Sequence, residues 1–174
     1  MICNNAAPMH GGIEYKTSVL FVCLGNICRS PMAEGAFRLA AQARGLAVLV
    51  DSAGTASYHL GEEPDARAIA VARNHGIDIA GQSARQIERD DFYSFTHIIA
   101  MDRANLEGLR AKAPRDGTAR LAMLLDAVEG RRGEPVADPY YGDGAAFEAA
   151  WQVINRGVEA WAEKLLREST QQSA

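Results

Sequence analysis

Cysteine is scarce in this chain of 174 residues: there are three, Cys3, Cys23 and Cys28. With no second ligand pair at metal spacing, Cys23 and Cys28 do not read as a zinc site. A domain of this length also has no need of disulfide staples. Long apolar runs are missing as well. None approaches the ~20 residues that span a bilayer, and residues 1–16 have neither a basic start nor an apolar centre, so neither a membrane span nor a secretory signal is read. Charge of one sign is not in excess. Eighteen Lys and Arg against 22 Asp and Glu leave a net charge of -4, with a pI near 5.6. That balance argues against nucleic acid as a partner and gives no long-range pull on a phosphate dianion, so any attraction for phosphate must be local. Internal repeats and low-complexity linkers are absent too. A cytoplasmic protein with reduced thiols is the expectation.

What is present fits one compact domain, because 48% hydrophobic content at this length can fill a sizeable core. Residues 1–15 mix Asn, Pro and Gly without periodicity, so 1–16 is expected to be a loose tail and 17–170 the domain. Strands are expected at 17–22, 46–50, 96–101 and 120–125. Ala33, Ala36, Phe37 and Ala40 repeat at helical spacing in a helix closing near Gly45, and a second helix is expected over 64–75. Asp102 can cap a helix that Pro114 stops, and Phe147, Ala150, Trp151, Ile154, Val158, Trp161, Ala162 and Leu165 trace the apolar face of a last helix. Strands alternating with helices predict an α/β fold: a four-stranded parallel sheet with helices on both faces, a flavodoxin-like three-layer sandwich. Ligands of such sheets bind beyond the carboxyl ends of the strands, where Cys23 lies.

The sequence there is Val22-Cys23-Leu24-Gly25-Asn26-Ile27-Cys28-Arg29-Ser30-Pro31. Pro31 suits the first turn of a helix, so the segment reads strand, tight loop, helix. Unpaired N–H groups and the dipole at a helix start favour an anion. Gly25 and Asn26 readily accept left-handed backbone angles, which lets successive amides converge into a nest. A thiol at its floor, facing N–H groups and the Arg29 guanidinium, is favoured as the thiolate and becomes a nucleophile. Arg29 offers a planar fork to two phosphoryl oxygens.

This string, continued by Met32-Ala33-Glu34-Gly35, resembles the signature loop of the low-molecular-weight protein tyrosine phosphatases. Asp138-Pro139-Tyr140-Tyr141-Gly142-Asp143 is a second match far downstream. Pro139 biases Asp138 toward extended angles, and the nearby glycines mark a loop. The resemblance implies hydrolysis of phosphotyrosine through a phosphocysteine, without metal or organic cofactor. It makes Cys23 the nucleophile, Arg29 the phosphate clamp, and Asp138 the acid that protonates the leaving group and later activates water. Leu24, Gly25, Asn26, Ile27 and Cys28 would complete the phosphate loop. Tyr140, Tyr141 and Tyr58 would wall a cleft for a phenyl ring, with His59 beside Tyr58. Asn26, Ser30, Ser52 and His75 would hold the loop in shape, Ser30 bonding the thiolate. His75-Gly76 reads equally well as a helix end with a glycine cap. Cys28 is either a buried filler or, as the resemblance suggests, the partner of Cys23 in a reversible protective disulfide.

Other readings share the fold. Arsenate reduction needs relay cysteines, and none follows Cys28. Phosphoarginine phosphatases of this type tend to carry threonine where Ile27 stands and lack the paired tyrosines. A non-catalytic anion-binding module would require neither nucleophile nor acid. The expected partner is a tyrosine-phosphorylated protein, with no nucleic acid or membrane, and the chain itself a monomer or weakly self-associating through Tyr140 and Tyr141.

Overall fold

The computed structural model describes residues 9–10 and 13–171. Most of the expected tail and Cys3 lie outside them; within that stretch β1 (Met9–His10) pairs antiparallel with β2 (Ile13–Glu14).

The domain is built from β3 (Ser18–Cys23), α1 (Arg29–Ala43), β4 (Leu49–Gly54), α2 (Ala66–Asn74), α3 (Asp91–Ser94), β5 (His97–Ala100), α4 (Arg103–Lys112), β6 (Arg120–Met123), a short 3-10 turn (Leu124–Ala127) and α5 (Gly144–Gln171). The four longer strands form one all-parallel sheet in the order β4-β3-β5-β6. Alternation along β3 sends its side chains to two different cores. Val19 and Phe21 join the layer made with α1, α2 and α5, where Phe21 meets Phe37 at 5.4 Å between ring centroids. Leu20 and Val22 join the layer under α3 and α4, with Phe92, Leu106 and Leu109. Both faces are therefore covered, and the expected three-layer fold is the one found.

All eight residues of the apolar face read on the last helix are buried. Trp161 Nε1 on that helix donates to Leu124 O at 2.8 Å, tying α5 to the end of β6. Gly157 is required there, because a Cβ would stand 2.6 Å from Leu124 Cγ.

One strand is displaced from its expected position. Residues 46–50 have the apolar pattern, yet β4 runs to Gly54 and carries Asp51 and Ser52 into the sheet. Their side chains find polar partners: Asp51 accepts from Arg85, and Ser52 bonds Glu34 and Asn26. Gly54 then lies so close to the loop after β3 that a Cβ would be 2.7 Å from Leu24 O. The carboxyl ends of β3 and β5 meet where the strand order reverses, which is where open parallel sheets place their ligand crevice.

Candidate active site

The loop between β3 and α1 is shaped by what takes its carbonyls. Thr55 N donates to Cys23 O at 2.9 Å, Ala56 N to Leu24 O at 3.0 Å, and Asp65 N to Ile27 O at 2.8 Å. With these oxygens drawn outward, the chain curls and enters α1 at Arg29, whose N-cap, Cys28, supplies no side-chain bond to the helix start. The N–H groups of the first turn are left for an anion. Asn26 alone among the described non-glycine residues has a positive φ, 58°. Gly25, expected to share that conformation, does not. Its missing side chain serves instead to admit the His59 ring, since a Cβ there would be 3.0 Å from His59 Cδ2.

A chain of hydrogen bonds holds Asn26 in its strained conformation. Its Nδ2 donates to Ser30 Oγ at 2.9 Å and to Ser52 Oγ at 3.0 Å, while its Oδ1 accepts from Arg85 N at 3.0 Å. Ser52 Oγ in turn donates to Glu34 Oε2 at 2.6 Å. Arg85 is fixed by carboxylates on both sides, Asp51 and Asp91. The polarity of this chain has a chemical consequence. Asn26 spends both amide hydrogens, so Ser30 is an acceptor toward it and keeps its own hydrogen for another partner. Cys23 Sγ lies 3.0 Å from Ser30 Oγ, against 3.4 Å to the alternative acceptor, Ala53 O. With Cys23 as a thiolate, Ser30 donates to it.

Arg29, 2% exposed, is aimed from the first residue of α1. Its Nη1 donates to Asp102 Oδ2 at 2.7 Å and to Val136 O at 2.9 Å, and its Nη2 stands 3.4 Å from Asp138 Oδ2. Asp102, at the end of β5, also caps α4 by accepting from Asn105 N at 2.7 Å. Val136 N donates to Met101 O at 2.8 Å, clipping the segment that precedes Asp138 to the end of β5. Beyond Pro139 a tight turn closes by Gly142 N to Pro139 O at 2.8 Å, and Asp138 Oδ1 accepts from Tyr140 N at 3.2 Å.

Cys23, Ile27 and Arg29 are buried at the base of a cleft of about 240 Å³, and Leu24, Gly25, Tyr58, His59, Asp138, Tyr140 and Tyr141 also line it. The Tyr140 and Tyr141 rings meet edge to face with centroids 5.0 Å apart. Cys28 lines the same cleft as a free thiol. Burial first, then the nearby Asp65 and Cys23, push its pKa far above that of an ordinary thiol.

Of the expected loop supports, Asn26, Ser30 and Ser52 are in the network and His75 is not. His75 ends α2, stacks on Trp151 at 4.9 Å between centroids and bonds Glu148 through Nε2 at 2.8 Å. Its helix-end reading is the one realised, because the aromatic face of α5 lies directly beside it. Asp102, Glu34 and Arg85 hold the site and were not singled out for it. Asp102 carried a signal, an acid directly after a strand, which reads first as a helix cap.

The family model described as "Low molecular weight phosphotyrosine protein phosphatase" matches residues 18–172. The chain belongs to that family. It is 40% identical over 155 residues to the low molecular weight phosphotyrosine protein phosphatase of Sus scrofa, covering 87% of this chain and 98% of the relative. To the low molecular weight protein-tyrosine-phosphatase YfkJ of Bacillus subtilis it is 44% identical over 144 residues, 82% of this chain and 91% of the relative. The crystal structure of a protein tyrosine phosphatase from Entamoeba histolytica with Hepes in the active site superposes with a TM-score of 0.83 at 33% identity, covering 88% of this chain and 99% of that one. Family membership makes the chain a hydrolase of the phosphatase class, and among the described residues no helix is long and apolar enough to cross a membrane.

Proposed function

We propose that this phosphatase hydrolyses phosphotyrosine in proteins through a phosphocysteine on Cys23. The observation that carries the reading is the convergence of Cys23, Arg29 and Asp138 on one cleft with tyrosine walls. The aryl ring enters between Tyr140 and Tyr58, and the phosphoryl oxygens settle on the loop N–H groups and the free edge of Arg29. Cys23 Sγ attacks phosphorus and the bond to the tyrosine oxygen breaks, while the carboxyl proton of Asp138 passes to that oxygen. Asp138, now a carboxylate, takes a proton from the water that attacks the phosphocysteine. Inorganic phosphate leaves and the Cys23 thiolate returns. Ser30 and the loop amides hold the negative charge on sulfur before attack and after release.

The tyrosines support an aryl substrate, since flat rings at the rim match a phenyl ring better than a short aliphatic side chain. A thiol nucleophile that must stay reduced to act agrees with a cytoplasmic setting. Tyr141, 96% exposed, offers a surface for weak self-association of an otherwise monomeric chain. Turnover on matched phosphotyrosine, phosphoserine and phosphoarginine peptides tests the substrate class. Preference for phosphotyrosine is expected; preference for phosphoarginine would overturn the aryl reading while leaving the cysteine chemistry in place.

A further inference from the structure

The cleft has two sides with different anchors. The phosphate loop is bound into the sheet, whereas the Asp138 to Gly142 turn is a surface loop with Asp138 41% exposed and Tyr141 almost fully exposed. General acid catalysis requires the carboxyl at hydrogen-bond distance from the leaving oxygen, so the spacing between these sides matters.

One side chain bridges that spacing from outside the cleft. Asp65, the N-cap of α2, has its N–H on Ile27 O of the phosphate loop at 2.8 Å. Its carboxylate grips Arg67 through two parallel bonds, Nε to Oδ1 at 2.9 Å and Nη2 to Oδ2 at 2.8 Å. The third guanidinium nitrogen, Nη1, donates to Gly142 O at 2.9 Å. Gly142 N closes the turn on Pro139 O, one residue from Asp138. The guanidinium also lies over the buried Phe147 ring, 4.5 Å from its centroid, and 5.8 Å from the Tyr140 centroid. Every donor nitrogen of Arg67 is thus used, and the line Ile27, Asp65, Arg67, Gly142 runs from the phosphate loop to the acid loop.

We propose that Arg67 is a positioning residue for leaving-group protonation: it sets the height of the Asp138 carboxyl and the Tyr140 wall over Cys23 by strutting the acid loop against the phosphate loop. The inference rests on the reading of Asp138 as the acid. Arg67 itself is not among the residues lining the cleft. Losing it should therefore harm the step that needs the acid and spare the nucleophile.

The test compares kcat/KM for phenyl phosphate, whose leaving phenoxide needs a proton, with 4-nitrophenyl phosphate, whose leaving group needs it far less. For Arg67→Met a fall of roughly tenfold on phenyl phosphate is expected, a part of the 10²–10⁴ a placed general acid supplies, with less than about threefold on 4-nitrophenyl phosphate. Asp65→Asn, which keeps a good cap for α2, should shift the same ratio in the same direction by less. The rate at which iodoacetate alkylates Cys23 should stay at the wild-type value in both. An unchanged substrate ratio, whatever the absolute loss, or a parallel fall in Cys23 alkylation, would overturn the proposal. If Arg67→Met does not fold, the Asp65→Asn ratio decides. Failure of the wild-type protein to hydrolyse either ester would instead strike the phosphatase reading itself.

Discussion

Arg29 Nη1 stands 2.7 Å from Asp102 Oδ2, with the guanidinium 3% exposed and the carboxylate 24% exposed. A cation buried at the floor of an anion site is thereby held by a carboxylate just past the end of β5, and its remaining edge is left for phosphate. Removing Asp102 takes away the shorter of its two ion pairs and leaves it only Asp138, 3.4 Å away on the cleft side. Asp102→Ala is expected to destabilise the fold by about 3 kcal/mol, the lower end of the cost of breaking a buried pair. Asp102→Asn keeps the cap of α4 and costs less stability, but lets Arg29 turn, so KM for an aryl phosphate should rise roughly tenfold, the equivalent of ~1.4 kcal/mol. Urea unfolding and steady-state kinetics on the two variants separate these effects.

Asn26 combines a left-handed backbone with three side-chain hydrogen bonds. Asn26→Gly relaxes the first requirement and loses the bonds; Asn26→Ala loses both. The alanine variant should be less stable than the glycine variant by about 1–2 kcal/mol, the cost of a left-handed L-residue. Both should lose activity to a similar extent, because Ser30 no longer has Asn26 to orient its hydroxyl. Thermal unfolding and kcat/KM, measured side by side, check the split.

Cys28 lies beside Cys23 in the cleft, yet burial and the charge of Asp65 keep it a thiol far into the alkaline range. Thiolate-directed reagents should therefore discriminate between neighbours. After brief exposure to iodoacetate at neutral pH, peptide mapping should find carboxymethyl on Cys23 and none on Cys28, and inorganic phosphate should protect Cys23. Equal labelling would contradict the assignment.

His97 sits in β5 with Nδ1 2.9 Å from Thr96 Oγ1 and its ring edge to face with Trp161. Burial, aided by the charges of Arg120 and Lys164 and opposed by that of Glu168, lowers its pKa below the ordinary 6.5. The folded protein then binds fewer protons than the unfolded chain below that pH, so stability must fall as the solution is acidified through 6.5. His97→Gln should flatten this part of the stability profile down to about pH 5, above the range where carboxylates dominate. Urea midpoints measured across that window supply the check.

How far the sequence disclosed the site depends on how local each signal was. Cys23, Arg29 and Pro31 lie within nine residues, and the amphipathic face of α5 repeats for five turns, so both were legible. Asp138 was legible through Pro139 and the paired tyrosines. Residues that act across the fold left no such mark. Asp102 reads as a helix cap and is one through Oδ1, while Oδ2 holds a guanidinium 73 positions away. The strand expected at 46–50 stopped short of Asp51 and Ser52, whose partners Arg85, Glu34 and Asn26 come from three other segments and so left no local signal. His75 offered two equal readings, and only the packing of Trp151 chose between them.

The whole reaction turns on the covalent step, and Cys23→Ser tests it most directly. A serine keeps the shape of the loop and its bond to Ser30 but is a poor nucleophile without a base. During turnover of an aryl phosphate, rapid quenching of the wild-type protein in alkaline denaturant, where an S–P bond persists, should reveal phosphate on the Cys23 peptide, and Cys23→Ser should show neither turnover nor that adduct while still binding phosphotyrosyl peptide. Hydrolysis by Cys23→Ser at a rate near that of the wild type, with a metal chelator present, would contradict the mechanism.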